Sequence, residues 1–218
     1  MIGVWDYTVI LTYLSLISGV VGVFFSINGA EPLVSAICLM LCGFCDTFDG
    51  KIARTKKNRT EQEKAFGVQI DSLVDIVAFG VLPACIGFAE LTRSGRLAAA
   101  APVWRYLMYF VPALYTLAAV IRLAWFNITA EEQQAGTTFV YTGLPVTVSS
   151  MLFPMLVMID YLIKADLSLV YLTLLLVIGT LFISRFRVKK PRTRTVVIAV
   201  VLSVIEILVV LVTTGVLK

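Results

Sequence analysis

The sequence predicts an all-α, polytopic membrane helix bundle forming one domain over residues 1–218. Of 218 residues, 59% are hydrophobic and only 15% charged, too little polar material to clothe a soluble fold of this size. Apolar runs close to the roughly 20 residues that cross a bilayer recur along the chain. The charges gather into short clusters between those runs, chiefly at residues 54–64 and 185–194.

The first run, 8–28, follows MIGVWDY, whose one charge is Asp6, and no small-residue cleavage pattern succeeds it. It reads as a retained helix rather than a signal peptide. Runs at 32–52 and 67–90 carry the carboxylates discussed below. Runs at 103–127, 143–163, 167–186 and 195–217 bring the expected total to seven helices, a six-helix core with one more at the C-terminal end. If the 54–64 loop is cytoplasmic, alternation leaves only Arg93, Arg96, Arg105, Lys164 and Lys218 toward the other side, as the positive-inside rule requires. The net charge of +4 then belongs to clusters facing anionic lipid head groups. No nucleic-acid motif accompanies it.

Asp46, Asp49, Gly50, Ala53 and Arg54 recur at helical spacing, and Gly67, Asp71 and Asp75 step by four, so each set lines one helix face. Carboxylates are costly in hydrocarbon and mark function there. Two such faces joined by a short polar loop would make one site. Four converging carboxylates need cations, and an all-oxygen donor set favours a hard divalent ion: Mg²⁺, Mn²⁺ or Ca²⁺. Glycines at 50 and 67 let a bulky ligand approach the backbone, and Arg54 offers a fork for phosphate. Histidine is absent, which leaves carboxylates as the natural general bases.

These eight residues resemble the signature of the CDP-alcohol phosphotransferases, DxxDGxxAR followed by GxxxDxxxD. The loop between Arg54 and Gly67, TKKNRTEQEKAF, has 12 residues and is longer than usual in that family. Loop length alone should not move the helix faces. DSLVDIVAFGVLPA, RLAWFN and YTGLP further resemble the family branch whose acceptor is L-serine, with Trp125 in place of that branch's second arginine. The resemblance implies a homodimer; the distribution of basic residues puts the expected site at the cytoplasmic side, and the lack of a targeting segment fits a prokaryotic cell membrane. The resemblance also implies CDP-diacylglycerol as donor and two divalent cations held by Asp46, Asp49, Asp71 and Asp75. Asp75 would be the base; Gly50, Ala53, Arg54 and Gly67 would receive the nucleotide and its phosphates; Arg122, Asn127 and Arg185 would face the acceptor.

Other acceptors, namely glycerol 3-phosphate, inositol phosphate or choline, stay open, as does a cation carrier, which also uses intramembrane carboxylates. Cys38, Cys42 and Cys45 spell CxxxCxxC on a membrane helix and read as packing residues. Glu206 stands alone in the last run, equally open to a structural or a functional role.

Overall fold

The computed structural model describes residues 3–29, 31–134, 141–185 and 187–188. The expected helix at 195–217, with Glu206, lies outside the described residues. Helix α1 (Ile10–Phe24) runs into a π-turn, Phe25–Gly29, and is followed by α2 (Pro32–Ala53). Then come α3 (Glu61–Asp75), a π-segment at Ile76–Val81, and α4 (Leu82–Arg93). A short α5 (Arg96–Ala99) leads to α6 (Pro102–Gln134), α7 (Ser149–Ile163) and α8 (Ser168–Ile183). A two-residue antiparallel pairing joins Tyr141–Thr142 to Arg187–Val188. Among the described residues five helical stretches are long and apolar enough to span a membrane, and α8 is a shorter apolar sixth. The chain is an integral membrane helix bundle.

Two expected boundaries shift. The third span begins at Glu61 rather than 67, because Thr60 and Glu63 form a reciprocal capping box: Glu63 N donates to Thr60 Oγ1 at 3.1 Å, and Thr60 N donates to Glu63 Oε2 at 2.8 Å. The fifth begins at Ser149 as an α-helix, after Gly143 at φ +81° and a 3₁₀ turn at Val146–Val148.

Close packing starts from small residues. A Cβ on Gly22 would lie 2.9 Å from both Cys38 Cβ and Leu82 Cδ1, so α1, α2 and α4 meet through that glycine. Cys38 and Cys42 are buried in the same contact, and Cys42 Sγ donates to the Ser15 carbonyl at 3.2 Å. The packing reading holds for Cys38 and Cys42, while Cys45 is half-buried.

The polar groups sort to two ends of the bundle. At one end Lys56 donates to Asp6 at 2.7 Å and to Glu63 at 2.9 Å. At the other, Arg93 pairs with Glu90 and Asp160, and Arg96 with Asp166. Between them lies an aromatic core of Phe79, Tyr115, Phe153, Tyr171 and Phe182. Its hydroxyls have a specific duty. Pro83 has no N–H, so the Phe79 carbonyl loses its ordinary partner four residues on. Tyr115 Oη donates to that carbonyl at 2.7 Å, Thr116 Oγ1 donates to the Gly80 carbonyl at 3.1 Å, and Tyr171 Oη donates to the Pro83 carbonyl at 3.1 Å. The π-segment directly after Asp75 is thereby held by α6 and the first turn of α4 by α8, and the altered winding sets how α3 meets the helix beyond it.

Tyr115→Phe keeps the ring and removes that donor. It is expected to cost about 1–3 kcal/mol for the unsatisfied buried carbonyl, seen as a lower melting temperature in detergent; an unchanged melt would show that the bond carries no stability.

Candidate metal and phosphate site

Helices α2 and α3 bring the carboxylates together as their spacing predicts. One oxygen each from Asp46, Asp49 and Asp71 lies within 4.8 Å of the others. Asp49 is buried and the other two are half-buried. Asp75, one turn farther along α3, is buried, outside this close trio, and feels the charges of Asp46, Asp71 and Asp49. A donor set made only of carboxylate oxygens fits a hard divalent cation and suits zinc or copper poorly.

Beside the trio opens a cavity of about 210 Å³, walled by Asp49, Gly50, Ala53 and Arg54 from the α2 side and by Gly67 and Asp71 from α3. All but Asp46 and Asp75 of the signature residues thus line it. A Cβ on Gly50 would meet nothing closer than Arg54 Nη2 at 4.0 Å, so that glycine opens directly onto the cavity. Gly67 differs from the expectation of open space for a ligand. Its would-be Cβ falls 2.7 Å from Arg59 Nη2, so the recess is filled by a guanidinium from the long loop.

The residues expected to face the acceptor lie toward the same end of the bundle. Asn127 Nδ2 donates to Ser72 Oγ at 2.9 Å, and Ser72 sits between Asp71 and Asp75, so the C-terminal part of α6 is tied to the aspartate helix. Arg122 is buried; its Nε donates to the Leu144 carbonyl at 3.0 Å, and its guanidinium lies 5.5 Å from the Phe126 ring centre. Arg185 is exposed, 5.9 Å over the Trp125 ring.

Four contributors were not read from the sequence. Thr12 Oγ1 donates to Asp49 Oδ2 at 3.3 Å, so α1 touches the trio. Its signal was faint, a single hydroxyl in an apolar run. Ser72 was hidden by its more telling neighbours. Arg59, from the loop, and Lys64, from the first turn of α3, also line the cavity, although the 54–64 stretch was legible only as a basic membrane edge. The loop is fastened at its base by Lys56, whose hydrogen bond holds the Asp6 carboxyl down to about 2 from 3.8. A depressed carboxyl gives a tether that is complete above pH 3.8 and lost as pH falls toward 2. Solvent screening makes this pair a positioning contact more than a stabilising one.

A carboxylate trio with a cationic cavity wall, set at one end of a membrane bundle, defines a site for a metal-assisted reaction on a phosphate ester. The family model for CDP-alcohol phosphatidyltransferase matches residues 7–217, and the chain belongs to that family. It is 26% identical to the CDP-diacylglycerol--serine O-phosphatidyltransferase of Helicobacter pylori over 183 residues, 82% of this chain and 69% of that protein. It is 32% identical to the archaetidylserine synthase of Methanothermobacter thermautotrophicus over 141 residues, 65% of this chain and 53% of that one. The Saccharomyces cerevisiae CDP-diacylglycerol--serine O-phosphatidyltransferase is 29% identical over 146 residues, 61% of this chain and 48% of its own.

Ser72 and Asn127 should be energetically coupled. A double-mutant cycle of Ser72→Ala and Asn127→Ala, read by thermal unfolding, is expected to give a coupling of about 0.5–1.5 kcal/mol; additive effects would show that the contact does not join the two helices.

Proposed function

We propose that this chain transfers the phosphatidyl group of CDP-diacylglycerol to the hydroxyl of L-serine, releasing phosphatidylserine and CMP. The observation that carries the reading is the trio of Asp46, Asp49 and Asp71 beside a cavity lined by Arg54, Arg59 and Lys64. Relatives named for serine products or serine transfer support the acceptor.

In the reaction the serine oxygen forms a bond to the lipid-linked phosphorus, and the bond from that phosphorus to the CMP oxygen breaks. The hydroxyl proton goes to Asp75, and the electron pair of the broken bond leaves with CMP. Asp46, Asp49 and Asp71, with Asp75 completing the set, would hold two Mg²⁺ or Mn²⁺ ions, with Ca²⁺ also suited to the oxygen donors; when bound, such ions neutralise the diphosphate and stabilise charge on the attacked and leaving oxygens. Asp75 stands apart from the close trio, which suits it to face the acceptor. Gly50 and Ala53 leave room for the nucleotide, Gly67 lets Arg59 lie along α3, and Arg54 presents its fork to phosphate oxygens. Arg122, oriented by its bond to the Leu144 carbonyl, is the residue assigned to the serine carboxylate. Asn127 sets the acceptor wall against Ser72, and Arg185, just past the end of α8, borders it. A choline acceptor is disfavoured at Trp125, because Arg185 already places a cation over that ring.

The basic 54–64 stretch beside the site supports a cytoplasmic orientation for that end, in a prokaryotic cell membrane, with CDP-diacylglycerol entering from the surrounding lipid. The family resemblance supports a homodimer.

Purified chain supplied with CDP-diacylglycerol and Mn²⁺ or Mg²⁺ is expected to release CMP with L-serine, and not with glycerol 3-phosphate, inositol phosphate or choline. Asp75→Asn should reduce that rate by about 10² or more, the usual worth of a positioned base. Release with a different acceptor would overturn the substrate assignment, and metal-loaded protein inert toward every acceptor would favour a cation carrier.

A further inference from the structure

We infer that Arg59, from the lengthened loop, is a donor-binding residue whose guanidinium contacts a phosphate of the cytidine nucleotide; this rests on the donor proposed above. Arg59 is not part of the family signature. Its path into the site is set by contacts outside that signature: Lys56 binds Asp6 and Glu63, and the capping box fixes Thr60 at the start of α3. From there the side chain turns back along α3 and lies on Gly67, where an added Cβ would fall 2.7 Å from Arg59 Nη2.

The guanidinium is anchored at one corner and otherwise uncommitted. Nη2 donates to the Glu63 carbonyl at 3.0 Å, while Nε is buried without a hydrogen-bond partner. The obvious acidic neighbour is spent, because the two carboxylate oxygens of Glu63 are taken by Lys56 and by the Thr60 N–H. No ion pair to Arg59 occurs among the described residues. A buried N–H donor left unmade costs free energy, and an always-charged fork fixed at one edge is preorganised for an anion at another. The cavity it lines, shared with Asp49 and Asp71, is where that anion would sit. A cation-loaded trio on one side and Arg59 on the other would grip a phosphate from both.

Binding of CDP to the purified full chain in detergent with Mn²⁺, by calorimetry, tests this without an acceptor or turnover. Arg59→Ala is expected to weaken CDP at least about tenfold, the worth of one charge-assisted hydrogen bond, with Arg59→Lys intermediate. Affinity for Mn²⁺ alone should not change. Equal CDP affinity in Arg59→Ala and wild type overturns this inference and leaves the donor proposal standing. Wild-type protein that binds Mn²⁺ and no CDP overturns both. A matching loss of Mn²⁺ affinity overturns the direct contact, since Arg59 would then act through the carboxylates. Should Arg59→Ala not remain monodisperse, Arg59→Gln carries the same comparison.

Discussion

Mutual repulsion among carboxylates is the constraint on which this structure turns. Oxygens of Asp46, Asp49 and Asp71 within 4.8 Å of one another, with Asp75 buried close by, are tolerable in a membrane bundle only with cationic compensation. Folding alone gives no reason to gather them. The cost is met by packing elsewhere, and the site gains an intense local field to which divalent ions and, through them, phosphates are drawn.

The rest of the fold holds that cluster in place. Thr12 reaches it from α1, Ser72 and Asn127 lock α6 to the aspartate helix, and Tyr115 repairs the carbonyl that Pro83 leaves without a donor just beyond Asp75. At the far end, Arg93 and Arg96 fasten the α4–α5 region to Asp160 and Asp166 around α7 and α8. The two polar ends therefore have different work: one is a closed set of ion pairs, the other an open cavity in which acidic and basic groups face each other without fully pairing.

The aspartates were legible because helical spacing alone places Asp46 with Asp49 and Asp71 with Asp75, and because a carboxylate is too costly in an apolar run to persist there without function. The spans were legible as hydropathy, yet hydropathy marks where lipid begins and not where a helix does. Helix α3 therefore starts six residues before the expected span, at a capping box that Thr60 and Glu63 spell in the sequence. Gly67 shows where reading stopped. Its lack of a side chain was visible, but whether a ligand or a neighbouring residue uses the space depends on how the loop folds back. Arg59 settles that by tertiary contact, which no local pattern encodes. Trp125 was likewise visible as a substitution, and its pairing with Arg185, 60 residues on in the chain, was not.

Mn²⁺ binding to the purified chain, followed by the electron paramagnetic resonance of free ion, probes the carboxylate trio most directly. The wild type should bind Mn²⁺, and Asp71→Asn, which removes one negative oxygen donor without changing shape, should bind at least about tenfold more weakly. Equal binding by the two proteins, or none by the wild type, would mean that these carboxylates were not gathered for a metal.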